Sequence, residues 1–467
     1  MNFLGYQRRE KKRLTDAGSA RPSVAESKAV KAVPTRREEG REVKLYEVKK
    51  RVHHRLLERL NLSMMEDLDD QEMAREIRQA LDVLLQEEEE PLNLSEKTRL
   101  ARELEFEILG LGPLEPLLGD PAISDILVNR FNMVYVERFG KLEKTDIRFQ
   151  DNDHLLKIIQ KIVGNVGRRV DESIPMVDAR LPDGSRVNAI IPPLALDGPM
   201  LSIRRFSVSR PSLEDLVQKG SLTEDMAEVL KSLSIARLNI LISGGTGAGK
   251  TTMLNILSGF IPDYERIITI EDSAELQLQQ EHVCRLETRP PNVEGKGEIT
   301  QRELVRNSLR MRPDRVIVGE VRGPEVIDML QAMNTGHEGS MATIHANSTR
   351  EALLRLETMI QLSGVQIHEK GMRQMISSSI DVILQLVRHS DGGRRVIALS
   401  EVTGMESGVV SLQDIFVFDR QGVDDTGSIL GMFKATGVRP RFADRCRIFG
   451  VPLPDRIFQP SKRISMH

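Results

Sequence analysis

The 467-residue chain has no tryptophan, and aromatic residues of all kinds make up only 4% of it. A surface that grips single-stranded nucleic acid needs aromatic platforms interleaved with basic side chains. No folded stretch offers that pattern, so nucleic acid is not expected as a partner. There are two cysteines, Cys284 and Cys446, which supply neither a disulfide framework nor a metal-ligand spacing and point to a reducing compartment. Charge of one sign is not in excess: 66 Lys and Arg against 69 Asp and Glu leave a net −3, too little for a global steering field. No apolar run approaches the roughly 20 residues of a membrane span. The opening MNFLGYQRREKKRL puts its charges behind a very short apolar stretch, unlike a secretory signal. Any membrane role is therefore expected to be peripheral, and the length suits two or three domains.

What is present changes character along the chain. Residues 1–50 hold 14 Lys and Arg against 7 Asp and Glu, an excess of 14 − 7 = +7, with few large apolar groups to bury. A basic, disordered arm is expected over residues 1–44, either solvated or touching anionic lipid or an acidic partner. Residues 45–114 show helical spacing in three stripes: Leu45, Val48, Val52, Leu56 and Leu60; Met73, Ile77, Leu81 and Leu84; Leu100, Leu104, Ile108 and Leu111. This predicts a three-helix bundle, its last helix capped by Ser95 and stopped by Gly110, Gly112 and Pro113. The glutamates at 87–90 read as a solvated helix end, and His53 and His54 as part of a wet helix face.

Residues 115–210 mix extended pieces with one helix. Ile126, Val128, Val134 and Val136 alternate with other residues on either side of a turn, HLLKIIQKIVGNVGRRV has helical spacing, and MVDARLPDGSRVNAII turns at Pro182-Asp183-Gly184. A small α+β domain is expected, with a linker near Pro211 and a helix capped by Ser212.

From 211 to 467, helices alternate with apolar strands: NILIS, RIITIE, RVIVGE, MATIHA, VILQLV and RRVIALSEV. That alternation predicts an α/β domain with a mainly parallel sheet covered on both faces and ligand groups at the strands' C-terminal ends. The first strand runs into GGTGAGKTT, where Gly244, Gly249, Lys250 and Thr251 fit G-x-x-x-x-G-K-[ST]. Gly245, Thr246, Gly247 and Ala248 complete the loop and Thr252 follows it. Such a loop wraps a triphosphate with inward-pointing N–H groups, which a β-carbon would obstruct. Lys250 is expected to reach the β- and γ-phosphates and Thr251 to ligate Mg²⁺, with a helix N-terminus aimed at the anion. The other strands end in Glu271-Asp272 (with Glu275 beyond), in Gly319-Glu320, and at His345. Phosphoryl transfer to water wants one carboxylate for the nucleophile and another for the hydrated metal. Any one carboxylate could be a plain helix cap; three strand ends beside a phosphate loop argue for a site. Neither His345 nor His337 has a zinc-like spacing of partners; a γ-phosphate sensor or a subunit contact suits them better.

GGTGAGKTT, ITIEDSAEL, SLRMRPDRVIVGEVRGPEVIDMLQAMNTGHEGSMATIHAN, ARLPDGSRVNA and SIRRF, in that arrangement, resemble the secretion ATPase superfamily of type II and type IV secretion and type IV pili. Within it the chain looks most like the CpaF-type ATPases of tight-adherence (Flp) pilus assembly, from about Leu45 to the end. The resemblance implies a RecA-like P-loop NTPase domain preceded by a small α+β domain and a three-helix bundle. It implies ATP and Mg²⁺ as cofactors, a homohexameric ring, and a cytoplasmic position at the inner membrane against platform proteins that insert pilin subunits. Residues 244–252 would be the Walker A loop. Glu271 and Asp272 would lie in the aspartate box, with Glu271 activating water and Asp272 near the metal. Glu320 would end an atypical Walker B and position Mg²⁺ through water. The choice of base between Glu271 and Glu320 stays open. His337 and His345 would form the histidine box, and Arg186, Arg204 and Arg205 would reach the γ-phosphate from the α+β domain as it closes. Arg180 and Arg210 read as surface ion-pair residues, and Arg310 and Arg312 as candidates for a subunit boundary. Two other functions stay open: a type IV secretion ATPase driving export, and a nucleotide-controlled switch or scaffold with negligible turnover.

Overall fold

The computed structural model describes residues 36–59, 70–138, 140–205, 211–291, 296–425 and 427–460, which fall into one unit ending at Val208 and another beginning at Ser209. In the first unit the three predicted stripes become helices α1 (Arg36–Arg59), α2 (Asp70–Gln86) and α3 (Leu94–Leu109). Val48, Val52 and Leu56 of α1 meet Ile77, Leu81 and Leu84 of α2 and Leu100 and Leu104 of α3 in a common apolar core; Leu60 lies outside the described residues. Helix α1 starts upstream of the expected boundary at Leu45, because Arg41 forks onto Glu96 at 2.6 and 2.7 Å and reaches Glu90 at 3.1 Å. The rest of the expected arm, residues 1–35, lies outside the described residues. Nor are the glutamates at 87–90 a bare solvated end: Glu87 pairs with Arg55 and Glu88 with Arg51, each at 2.6 Å. The cap of α3 also differs from expectation. Asn93 accepts the Glu96 N–H while Glu96 accepts the Asn93 N–H, a capping box, and Ser95 donates its hydroxyl to Asn93 from inside the first turn.

A 3₁₀ turn (Gly112–Leu114) and α4 (Glu115–Gly119) lead into β1 (Ile123–Arg130), β2 (Met133–Arg138), β3 (Lys141–Lys144), α5 (Asn152–Gly164), β4 (Met176–Arg180), β5 (Arg186–Ile190) and β6 (Met200–Arg204). The strands form an antiparallel sheet in the order β3-β2-β1-β6-β5-β4. Ile126, Val128, Val134, Val136, Val187, Leu201 and Ile203 face one side, where Leu155, Ile159 and Ile162 of α5 cover them. The bundle is tied to α5 by polar contacts. Lys161 Nζ donates to the carbonyls of Ile108 and Gly110 at 3.0 and 2.6 Å, and His154 Nε2 meets Glu107 Oε2 at 2.9 Å.

The second unit opens with α6 (Leu213–Gln218), capped by Ser212 as expected, and α7 (Glu224–Ile235). It continues through β7 (Ile240–Gly244), α8 (Lys250–Ser258), β8 (Ile267–Glu271), β9 (Val283–Glu287), α9 (Gln301–Ser308), β10 (Arg315–Val321), α10 (Glu325–Asn334), β11 (Met341–Ile344), α11 (Thr349–Leu362) and α12 (Glu369–Ser379). Last come β12 (Val382–Arg388), β13 (Arg394–Glu406), β14 (Val409–Val423), β15 (Ile429–Ala435) and α13 (Phe442–Ile448). The sheet order is β15-β14-β13-β12-β7-β11-β10-β8-β9. From β12 to β9 every pairing is parallel, and from β12 to β15 every pairing is antiparallel. Ile240 and Ile242 point to the face covered by α7, α8 and the C-terminal Phe442, Cys446 and Phe458. Leu241, Ile268 and Val318 point to the face covered by α9, α10, α11 and α12. This is the doubly covered α/β arrangement expected, enlarged by β9, β14 and β15. Burial drives the Cys446 thiol up to about 11, so it is inert packing.

Candidate functional site

Strand β7 is buried throughout and passes at Gly244 into the phosphate-binding loop, from which α8 starts at Lys250. The loop is shaped by glycine where the sequence pattern demands it. A β-carbon at Gly244 would lie 2.6 Å from the Leu386 carbonyl oxygen of β12, and Gly249 has φ +98°, a region costly for other residues. The Lys250 ammonium is turned into the loop, donating to the carbonyls of Gly244 and Gly245 at 3.0 and 3.2 Å. Burial lowers its pKa, with the charge of Glu320 acting in the opposite direction. Thr251 and Thr252 sit partly exposed in the first turn of α8, Thr246 and Gly247 are exposed, and Ala248 is buried. The β12–β13 hairpin backs the loop from outside, where Arg394 Nε donates to the Gly247 carbonyl at 2.8 Å.

Around this loop the parallel order β7-β11-β10-β8 brings its own C-terminal ends together. Glu320 in β10 takes His345 Nε2 on Oε1 at 3.3 Å and Arg322 on Oε2 at 2.7 Å. Burial works to raise the Glu320 pKa, but the bond and charge of Arg322, with His345 and Lys250, hold the carboxyl below its usual range. His345 is lowered by burial first and by the Lys250 charge next. Asp272, just past β8, meets the other side of Arg322 at 3.2 Å. Behind them, Gln301 and Thr343 donate to the carbonyls of Glu320 and Gly319 at 2.9 and 2.7 Å, fixing the end of β10.

Glu271 is handled differently. It is only 3% exposed, and its Oε2 accepts the N–H groups of Glu275 and Leu276 at 2.7 and 2.9 Å, so it caps the turn after β8. Oε1 is buried without a hydrogen-bond partner, and burial raises the pKa despite the two N–H donors. Of the two glutamates, Glu320 is the one joined to the group around Lys250.

Other expected residues lie elsewhere. His337 precedes β11 while His345 follows it, so the two histidines occupy opposite ends of the sheet and His337 is not part of the group around Lys250. Its carbonyl accepts the Ser340 hydroxyl at 2.7 Å. Arg310 and Arg312 are exposed just ahead of β10, also at the far end. The neighbouring Arg315 is fully buried, forking onto Glu265 with Nη2 at 3.1 Å from Oε1 and donating to the Ser234 carbonyl at 2.7 Å.

In the first unit, cross-strand register places Arg180, Arg186 and Arg204 in one row across β4, β5 and β6, on the face away from the apolar core. Arg180, read as an ordinary surface residue, thus shares a face with the two arginines read as functional. Arg204 pairs with Asp125 at 3.2 Å. The Arg205 guanidinium is half-buried and donates to the carbonyls of Asp120 and Ile123. Arg210 lies outside the described residues. Sequence reasoning missed Arg322 and Arg394. Arg322 stands two positions beyond Glu320 in GEVRG, a signal that could have found it; Arg394 reaches the loop only through the β12–β13 pairing.

A family profile described as type II/IV secretion system protein matches residues 107–424. A Mycobacterium tuberculosis protein with a provisional conjugal-transfer name is 37% identical over 72% of this chain and 96% of its own length. The type IV secretion system protein VirB11 of Brucella suis is 31% identical over 61% of this chain and 87% of its own. Among solved structures, the chain aligns with the Brucella suis VirB11 ATPase in complex with sulphate (29% identity, 62% of this chain, 96% of that one, TM-score 0.34) and the pilus retraction motor PilT with bound ADP (21% identity, 61% and 80%, TM-score 0.45). With the phosphate loop and its carboxylates on the second unit's sheet, and the family profile spanning well over half the sequence, the chain belongs to the type II/IV secretion system protein family of ATP-hydrolysing P-loop enzymes.

Proposed function

We propose that this enzyme is a Mg²⁺-dependent motor, working as a homohexamer at the inner membrane, that drives assembly of a tight-adherence (Flp) type IV pilus through platform proteins. No helix among the described residues is long and apolar enough to cross a membrane, so such a motor needs a membrane partner to act on. The observation that carries the reading is the convergence of Lys250, Glu320, Asp272 and His345 on the C-terminal ends of neighbouring strands.

The donors fit a hard divalent cation. Thr251, Glu320 and Asp272 offer oxygen only, and the two carboxylates already converge on one cationic group, Arg322. Among the described residues no three His, Cys, Asp or Glu side chains form a metal cluster, which suits an ion that keeps waters and phosphate oxygens in its shell. Bound there, Mg²⁺ would neutralise charge on the β- and γ-phosphates.

Lys250 exchanges its two carbonyl partners for phosphate oxygens when nucleotide enters. Glu320, held ionised, accepts the proton as a water oxygen bonds to the γ-phosphorus and the bond to the β–γ bridging oxygen breaks, giving ADP and phosphate. His345 keeps Glu320 oriented. Lys250→Ala is expected to cut phosphate release by about a hundredfold or more; full turnover in that variant would end the motor reading, and negligible turnover in the wild type would favour a nucleotide-controlled switch. The VirB11 and conjugal-transfer relatives favour a second reading, an export ATPase of a type IV secretion system. Complementation by Lys250→Ala separates the two, since a pilus motor loses surface pili and an export motor loses secreted cargo.

A further inference from the structure

Asp272 and Glu320 stand at the ends of β8 and β10, which are paired in parallel, and the group between them is a third side chain. Arg322 places Nη2 at 2.7 Å from Glu320 Oε2 and Nη1 at 3.2 Å from Asp272 Oδ2. Two carboxylates facing each other would repel; a planar fork gives each its own N–H. The backbone under Arg322 is held separately, because Glu325, itself 4% exposed, accepts the N–H groups of Arg322 and Gly323 at 2.7 and 2.8 Å. The side chain therefore hangs from a fixed root and, at 57% exposed, has solvent to move into. Glu320 retains His345 on its other oxygen, so releasing Arg322 does not release Glu320.

We propose that Arg322 is a built-in counter-cation of the metal subsite: it holds Glu320 and Asp272 together and competes with Mg²⁺ for them, setting how much Mg²⁺ is needed to load magnesium-nucleotide. The inference rests on the function proposed above. A guanidinium and a divalent ion cannot both occupy the same carboxylate oxygens at contact distance, since like charges repel steeply there. Loading is thus an exchange of ion pairs. No covalent bond changes, and Arg322 keeps its proton throughout; its bond to Glu320 pushes its pKa further up. Arg322 is a positioning residue in this scheme, acting on the metal ligands.

The test is equilibrium binding of a fluorescent, non-hydrolysable ATP analogue to the full chain while Mg²⁺ is titrated from an EDTA-buffered start. Arg322→Gln should lower the Mg²⁺ concentration at half-maximal effect by about fivefold, the combined worth of two partly exposed ion pairs. Arg322→Lys, a point charge that reaches one carboxylate at a time, should fall between. An Arg322→Gln midpoint at or above that of the wild type overturns the proposal. Should Arg322→Gln fail to fold, Arg322→Lys carries the test alone, with a lowered midpoint expected and an unchanged or raised one decisive against it. Wild-type binding indifferent to Mg²⁺ would instead overturn the functional reading beneath it.

Discussion

Glu271 and Glu320 are the same residue type at the ends of adjacent strands, yet their surroundings assign them different work. Glu271 spends Oε2 on two backbone N–H groups inside the protein, whereas Glu320 faces His345 and Arg322. Glutamine can still accept both N–H groups at position 271, so Glu271→Gln should keep turnover within about tenfold of wild type, while Glu320→Gln should lose about a hundredfold or more. Phosphate-release kinetics decide it, and the reverse order would move the base to Glu271. A second prediction concerns Glu265, which is 2% exposed and bound by the fully buried Arg315. Breaking a buried pair by removing one partner costs about 3–5 kcal/mol. For a unit of this size, Glu265→Gln should therefore lower Tm by roughly 10 °C, measured by calorimetry.

At the scale of elements, the capping box of α3 gives a pH prediction. Arg41 and the Asn93 N–H hold the Glu96 carboxyl at about 2, below its ordinary 4.5. A depressed carboxyl contributes stability fully above its unfolded pKa and loses it as pH falls toward the folded one. Unfolding followed by circular dichroism should thus show Glu96→Gln less stable than wild type at pH 7, with the difference shrinking from pH 4.5 toward pH 2. This element also shows what could be read beforehand. The stripe of Leu100 and Leu104 announced the helix through its period, but the choice between Ser95 and Asn93 as cap depends on backbone angles one turn upstream. Strands β7, β8, β10 and β11 were legible because they are short apolar runs closed by polar residues with chemical use. Strands β14 and β15 were not: FVFDRQ and ILGMFKA run mostly over partly or fully exposed positions without a period-two alternation, and what pairs them is the neighbouring strand. For the same reason Arg205 looked equivalent to Arg204; only the register that turns Arg204 to the open face sends its neighbour toward the carbonyls of Asp120 and Ile123.

For the whole molecule, that split predicts which of the two arginines carries stability. Arg204→Ala, at an exposed side chain, should leave Tm unchanged, whereas Arg205→Ala should lower Tm by a few degrees, as loss of hydrogen bonds from a half-buried guanidinium does. Melting measurements on the full chain check both, and equal effects would show the two arginines to be interchangeable. The sheet of the second unit separates its tasks along its length in the same spirit. Strand β10 carries Glu320 near its C-terminal end and Arg315 at its first residue, the latter clasped by Glu265, Ser234 and Gly339. The position of Glu320 is therefore inherited from a joint at the foot of its strand. A genetic screen for lost function would recover alleles around that joint, and without a parallel measure of protein abundance they would be mistaken for a second nucleotide pocket.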